Sequence, residues 1–270
     1  MSLYVYIDYN EKYTTVQLVV CMTRNISYNL QQHLEQEHAI SPLTQYVREI
    51  VYGGVDGIVT TFAVVAGFAG ATGGGTMETG IPVVVVLLFG GANLFADAVS
   101  MALGNYMSVR ADHDLYRSEL HKEASEIKKN PSMEFEETVS IFIDQGFTKD
   151  QATQLTSIYQ QNKKGWAEFM MTNELRMEHP DNTNPLFTSI ATCLSFIVFG
   201  TVPLIPYIVV GSDGSLFIWS VAATALALFL LGTLRMRITK TSAVRSVGEI
   251  VLLGSVAAVI AYIVGTFFST

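Results

Sequence analysis

The chain has 270 residues, of which 50% are hydrophobic and only 15% are charged, and its formal net charge is −8. Soluble domains usually carry about 25% charged residues, so the composition argues against an ordinary soluble protein. The acidic balance argues against a nucleic-acid partner, because nucleic acid selects basic surfaces. The two cysteines, Cys21 and Cys193, lie far apart and form no disulfide or metal-binding pattern.

Residues 1–45 are interpreted as an N-terminal cytosolic extension. The apolar run at residues 16–22 is too short to span a membrane. A cleaved signal peptide would need a basic start and small residues at its cleavage site, and neither is convincing here. Residues 29–50 are predicted to be helical and to lead into the first apolar run.

Five nearly uncharged runs are each long enough to cross about 30 Å of hydrocarbon, which needs about 20 apolar residues in a helix. Two of them fall within residues 46–109 and three within residues 182–270. The predicted spans are residues 47–71, 81–109, 186–210, 215–234 and 247–268. A soluble protein with buried core helices rarely carries five such runs, so the sequence predicts an all-α integral membrane protein with five transmembrane helices.

The distribution of Lys and Arg predicts the orientation of these spans. With the N-terminus in the cytosol, all 16 Lys and Arg residues fall on the cytosolic side or at its edge. The loops on the opposite side then contain only Glu78 and Asp213 as charged residues. We therefore expect a multi-pass protein with a cytosolic N-terminus, in the membrane of a vacuole-like organelle or in a bacterial inner membrane.

Polar side chains interrupt the first two spans. Ionisable groups at membrane depth are costly and usually face a pathway or a partner. We interpret these residues as a transport pathway, in which carboxylate, amide and thioether groups bind a transition-metal ion. The alternative is hydrogen bonding between helices, with the methionine as a gap-filler. The residues are Asp56 in the first span and Asn93, Asp97, Met101 and Asn105, four residues apart, in the second.

A glycine spacing in the first span and two prolines in the third accompany this pattern. Gly53 and Gly57 have the GxxxG spacing that lets a neighbouring helix approach closely. Pro203 and Pro206 predict a kinked or broken third span, as transporters often have.

Residues 110–181 are predicted to form an inserted cytosolic helical domain. The predicted helices cover residues 112–129, 134–145, 149–162 and 165–178, with Thr148 as an N-cap. Glutamates and a methionine spaced three or four apart share helix faces and resemble the carboxylate sites of metal-binding bundles. A solvated helix face is the alternative for each pair. The predicted metal ligands are Glu123, Glu126, Glu134, Glu137, Met170 and Glu174, with Met171 and Glu178 beside them.

Two segments resemble the first two helix motifs of the vacuolar iron transporter family. They are REIVYGGVDG at residues 48–57 and ANLFADAVSMALG at residues 92–104. Residues 166–178 and the segment VPLIP at residues 202–206 match further landmarks of that family. The resemblance covers about residues 45–270 in the same order, and the extension of residues 1–45 departs from it.

The resemblance implies a homodimer, formed through the first and second helices, that exports Fe²⁺ from the cytosol in exchange for protons. Asp56 and Met101 match the family's pathway positions, and Asp56 of two subunits would place paired carboxylates near the symmetry axis. The six predicted ligands of the inserted domain match the family's metal-binding positions. Fe²⁺ is then a substrate, no permanently bound cofactor is expected, and Mn²⁺, Co²⁺ and Zn²⁺ remain open as further substrates.

Two other functions were considered. A metal-gated divalent-cation channel would use the acidic domain as its sensor. A membrane-bound di-metal enzyme would need Glu-x-x-His pairs, and His113, His121 and His179 lack that spacing. We therefore expect a transporter and no enzyme.

Overall fold

In a computed structural model of the chain, the structure describes residues 42–72, 83–209 and 216–268. The chain forms two compact units, residues 1–45 and residues 46–270. In the first unit, Pro42–Gln45 form one helical turn. The apolar run at residues 16–22, residues 29–41 of the predicted leader helix and both loops predicted to lie opposite the cytosol are outside the described residues.

The described part of the second unit is helical and contains no strand. Five helical segments are long and apolar enough to cross a membrane, which confirms the predicted five-span, all-α fold. Two 3₁₀ turns, Pro180–Asn182 and Val202–Leu204, flank parts of the third span. The α-helices are α1 (Val47–Ala71), α2 (Val83–Lys129), α3 (Pro131–Asp144), α4 (Lys149–Tyr159), α5 (Lys163–Asn173), α6 (Pro185–Gly200), α7 (Ile205–Val209), α8 (Leu216–Thr239) and α9 (Ala243–Thr266).

Helix α2 extends well beyond the thickness of a bilayer. Its 47 residues span about 70 Å at 1.5 Å per residue, whereas a membrane's hydrocarbon core is about 30 Å thick. The first half is apolar, and charged residues become frequent from Arg110 onward. The second half of α2 therefore lies outside the bilayer, where α5 packs against it and α3 follows it.

The inserted helices bury a small core of their own. Ile127, Trp166, Ala167 and Met170 are buried together, and Phe135 is among the partly buried residues packed on them. Thr148 is the N-cap of α4, as the sequence predicts, and the structure adds a capping box with Gln151.

Helix α1 packs against α2, α6, α8 and α9 of the same chain. A Cβ atom at Gly53 would lie 2.6 Å from the carbonyl oxygen of Thr192 in α6, and one at Gly57 would overlap the carbonyl oxygen of Phe196. A Cβ atom at Gly54 would meet Leu231 of α8 at 2.9 Å. The glycine spacing of α1 thus permits close packing within one chain.

The third span is broken at the predicted prolines. Helix α6 ends at Gly200, a 3₁₀ turn contains Pro203, and α7 restarts the span for five residues. The hydroxyl of Ser220 in α8 donates a 2.7 Å hydrogen bond to the carbonyl oxygen of Pro203. This hydrogen bond links α8 to the broken segment, where a neighbouring helix can pair with exposed backbone groups.

Three predicted helix boundaries in the inserted region are wrong. Helix α3 begins at Pro131 rather than at residue 134. Proline is accepted at the start of a helix because the N–H that it lacks would have no partner in the first turn. Helix α4 ends at Tyr159, because Asn162 caps the next helix through a hydrogen bond from the N–H of Gly165. Helix α5 ends at Asn173 rather than residue 178, shortly before Arg176 adopts a positive φ of 54°.

Candidate functional site

The predicted pathway residues lie on two adjacent helices. Asp56 belongs to α1, and the four polar residues of α2 repeat every fourth position, so they share one face. From Asn93 to Asn105 this stripe extends about 18 Å along the helix axis. It is long enough to offer successive positions to a moving ion.

The membrane-deep part of the stripe contains one carboxylate, Asp97, and α1 contributes a second, Asp56. The amide of Asn93 donates a 2.7 Å hydrogen bond to Asp97 Oδ2. The charge of Asp97 lies close enough to interact with Asp56 of α1. Two acidic groups on neighbouring helices are thus within range of each other's charge, and either a cation or a proton would relieve their repulsion.

The other end of the stripe lines a cavity of about 470 Å³ between α1 and α2. Met101 and Asn105 contribute to its wall, together with Glu49, Tyr52 and Asp112. The Asn105 amide donates to Thr192 Oγ1 at 2.9 Å, whereas its Oδ1 is buried without a hydrogen-bond partner. A cation entering this cavity would meet carboxylate, amide and thioether donors, which suit a divalent transition metal.

Glu49 and Tyr52 were not among the predicted site residues. Glu49 precedes Asp56 by seven residues, or two helical turns, so the same face of α1 carries both. That spacing was visible in the sequence and could have identified Glu49.

Asp56 does not share the cavity of Met101 and Asn105. It lines a second, mostly apolar cavity of about 530 Å³ between α1, α8 and α9, with Arg235 and Glu249 in its wall. Arg48 and Tyr52 line both cavities. Of the five predicted pathway residues, Met101 and Asn105 thus line one cavity and Asp56 lines the other, and the lining of neither includes Asn93 or Asp97.

In the inserted region, Glu123 of α2 and Glu134 of α3 form a buried acidic pair, each 5% exposed. Burial, a hydrogen bond to Glu134 and the nearby carboxylates raise the pKa of Glu123 to about 8. Burial chiefly raises the pKa of Glu134 as well, although the hydrogen bond from Glu123 opposes this effect. Glu123 Oε1 and Glu134 Oε2 are buried without a hydrogen-bond partner, so both remain available to a ligand.

The other predicted ligands surround this pair more loosely. Partial burial and the charges of Glu137 and Glu126 raise the pKa of Glu174. Met170 and Met171 are fully buried, whereas Glu178 is exposed beyond the end of α5. Among the residues that the structure describes, no three His, Cys, Asp or Glu side chains are close enough together to hold a metal ion. The fold thus supplies one close acidic pair and three neighbouring carboxylates, and a full coordination shell would require side-chain rotation.

Comparison with known proteins gives consistent similarities. A sequence model described as the VIT family matches residues 47–266. The chain is similar to Vacuolar iron transporter 1 of Tulipa gesneriana, with 32% identity over 236 residues that cover 87% of this chain and 92% of the relative. It is also similar to Vacuolar iron transporter 1 of Arabidopsis thaliana, with 29% identity covering 86% and 89% of the two chains. The Vacuolar iron transporter of Plasmodium berghei is 30% identical, covering 90% and 88%.

Proposed function

The chain belongs to the VIT family, and on that premise we propose that it carries Fe²⁺ out of the cytosol, into a vacuole-like compartment or out of the cell. Members of this family are transporters and not enzymes. The polar stripe of α2 and the two cavities beside α1 support a route for a small cation. Mn²⁺ and other divalent transition metals belong to the same proposal, because their ligand preferences overlap.

The observation that carries the proposal is the cavity between α1 and α2 lined by Glu49, Met101, Asn105 and Asp112. Asp56 and Asp97 lie deeper along the same two helices. Carboxylates bind many divalent ions, and a thioether adds a preference for softer ions over Mg²⁺ or Ca²⁺. Fe²⁺ matches this combination. The cavity at Glu49 and Met101 would then receive the ion, and the acidic pair would bind it deeper in the membrane.

Proton coupling follows from the same pair. Two neighbouring carboxylates repel each other unless a cation or a proton lies between them. An acidic pair that releases Fe²⁺ on the far side therefore favours uptake of a proton there. Returning that proton to the cytosol would complete an exchange of Fe²⁺ for H⁺.

The inserted helices would act as a cytosolic metal-binding domain of residues 110–181. The observation that supports this metal-binding role is the buried Glu123–Glu134 pair with its unpartnered oxygens, near Glu126, Glu137 and Glu174. Met170, buried beside them, would add a thioether ligand. This domain would collect or sense metal before transport.

We further propose a homodimer through the first two spans, α1 and the apolar half of α2. Helix α2 carries a row of exposed apolar side chains, including Leu88, Phe95, Val99 and Leu103, that a second copy or lipid would cover. The bias of Lys and Arg supports a cytosolic N-terminus.

The decisive experiment measures Fe²⁺ uptake into proteoliposomes that contain a trapped metal indicator. Uptake should rise when the lumen is acidic, because outward proton flow drives inward metal flow, and it should be lost in Asp56→Asn. Asp144→Asn, which removes an exposed carboxylate from the end of α3, is the matched control and should transport normally.

The principal alternative is a metal-gated channel. Uptake that follows the Fe²⁺ gradient alone and ignores the proton gradient would favour the channel and contradict exchange. Full proton-coupled uptake by Asp56→Asn would contradict the proposed role of the acidic pair.

A further inference from the structure

A buried chain of hydrogen bonds lies beneath the carboxylates of the inserted region. The indole Nε1 of Trp166 donates to Thr138 Oγ1 at 2.7 Å. Thr138 Oγ1 in turn lies 3.3 Å from Met170 Sδ and 2.7 Å from the carbonyl oxygen of Glu134. The side chains of Trp166, Thr138 and Met170 are all 0% exposed, so water does not compete for these contacts.

The spacing along α3 and α5 places this chain directly under the acidic groups. Helix α5 carries Trp166 and Met170, and its C-cap residue Glu174 continues the interval of four with a helical backbone. Helix α3 carries Glu134 and Thr138 at the same interval, so each set shares a face. The carboxylates of Glu134 and Glu174 interact with each other. The two helices thus present an acidic layer of Glu134 and Glu174, and the Thr138–Met170 contact lies one turn below it.

The hydroxyl of Thr138 has one proton, which two acceptors can share in a three-centre hydrogen bond. Trp166 occupies an acceptor position of the hydroxyl oxygen, which restricts the proton to the remaining directions. Two acceptors lie in those directions, the Glu134 carbonyl oxygen and the Met170 sulfur. A methionine side chain has three rotatable bonds and adapts its shape easily. A directional contact at the sulfur restricts the rotation of these bonds, which apolar packing alone would permit.

We propose that Thr138 is a positioning residue for the Met170 thioether. The hydroxyl, oriented by Trp166, holds one lone pair of the sulfur and keeps the sulfur beneath the acidic layer, where the second lone pair can bind a metal ion. Because only softer ions gain from a thioether, Thr138 raises the selectivity of the domain for them over harder ions. This inference rests on the proposed function, since it takes Met170 as a metal ligand.

The test uses the full chain in detergent on a Trp219→Phe background. The chain contains two tryptophans, so Trp166 then reports from inside the domain alone. Quenching of its fluorescence is titrated with Co²⁺ as the softer ion and with Mn²⁺ as the harder one. The variants are Thr138→Val, Thr138→Ala, Thr138→Ser and Met170→Leu. The alanine variant adds no bulk and gives the same comparison if the valine variant does not fold.

Removing the hydroxyl should weaken Co²⁺ binding about tenfold, the lower end of what losing a hydrogen-bond partner of a metal ligand costs. Binding of Mn²⁺ should change by less than about twofold, because carboxylates dominate it. Thr138→Ser keeps the hydroxyl and should retain the selectivity. Met170→Leu should lose as much selectivity as Thr138→Val, and the double variant should lose no more than Met170→Leu alone.

The outcomes separate this inference from the function on which it rests. If the Thr138 variants bind Co²⁺ and Mn²⁺ more weakly by the same factor, Thr138 only stabilises the fold, and the inference is overturned. Lost selectivity in Met170→Leu with none lost in Thr138→Val or Thr138→Ala would overturn it as well while leaving Met170 a ligand. Unchanged selectivity in Met170→Leu would remove Met170 from the proposed site, and the inference would fail with it.

Discussion

Metal binding by the inserted helices should depend steeply on pH. The Glu123 pKa of about 8 means that this buried carboxyl is mostly protonated at neutral pH. A carboxyl must lose its proton to bind a metal ion, so protons compete with the metal for the site. Lowering the pH from 8 to 6 should therefore weaken metal binding before any residue is changed.

The size of the effect follows from the pKa. A carboxyl with a pKa of about 8 is about half ionised at pH 8 and about one hundredth ionised at pH 6. The apparent metal affinity should therefore fall by about fiftyfold between these pH values if Glu123 alone is responsible. Glu134 and Glu174 also have raised pKa values, and their protonation would steepen the dependence.

The assay is a titration with Mn²⁺ at pH 6, 7 and 8, followed through Trp166 fluorescence on the Trp219→Phe background. Glu123→Gln should bind more weakly at pH 8 and show a flatter pH dependence. Glu136→Gln, which removes an exposed carboxylate from the same helix as Glu134, should match the unmodified protein. An affinity that is constant from pH 6 to 8, or an equal slope in Glu123→Gln, would refute the assignment of Glu123 as the titrating ligand.

The same pKa predicts how stability changes with pH. A carboxyl with a raised pKa in the folded state favours folding while it is protonated, so its contribution is complete below about pH 4.5 and is lost as the pH rises to about 8. Without metal, the unfolding temperature of the inserted helices should decline across this range, and Glu123→Gln should reduce the decline. Saturating Mn²⁺ should restore the unfolding temperature most strongly at pH 8.

Two further predictions concern the membrane helices. Gly57→Ala should destabilise the protein by about 1–3 kcal/mol, because the added methyl meets the carbonyl oxygen of Phe196. Gly248→Ala on α9, where a Cβ atom meets nothing within 4 Å, should be neutral. Similar melting temperatures in detergent for both variants would contradict the packing described for α1. Glu49→Gln should raise the KM for Fe²⁺ in the proteoliposome assay with a smaller change in maximal rate, because Glu49 lines the cavity that would receive the ion; an unchanged KM would remove Glu49 from the route.

Much of the fold was readable from the sequence because it depends on local composition. An uncharged run of about 20 residues has few alternatives to a membrane helix, and all five runs are helical segments of sufficient length in the structure, the third with a break. The helix break was also predictable, because Pro203 cannot continue the backbone hydrogen bonding of an α-helix. The capping box at Thr148 and Gln151 is likewise determined by neighbouring residues.

The features that were not predicted depend on contacts between distant segments. The GxxxG spacing does not identify its partner helix, and the structure shows α6 at that place. Helical spacing placed Asp97, Met101 and Asn105 on one face, but it did not indicate that Asp56 borders a different cavity from Met101. The contact of Thr138 with Met170 depends on the register between α3 and α5, which neither helix specifies alone.

Helix α2 is continuous from the membrane segment to the inserted region, so its two ends move together. From Asn105 to Glu123 the helix advances about 27 Å without a break, so a tilt of about 10° near Asn105 would displace Glu123 by about 5 Å by simple geometry. A continuous helix resists absorbing such a motion, since bending sharply would break its backbone hydrogen bonds. A rearrangement of Glu123 and Glu134 that tilts α2 would therefore also move the stripe of Asn93 and Asp97, because the helix is continuous between them.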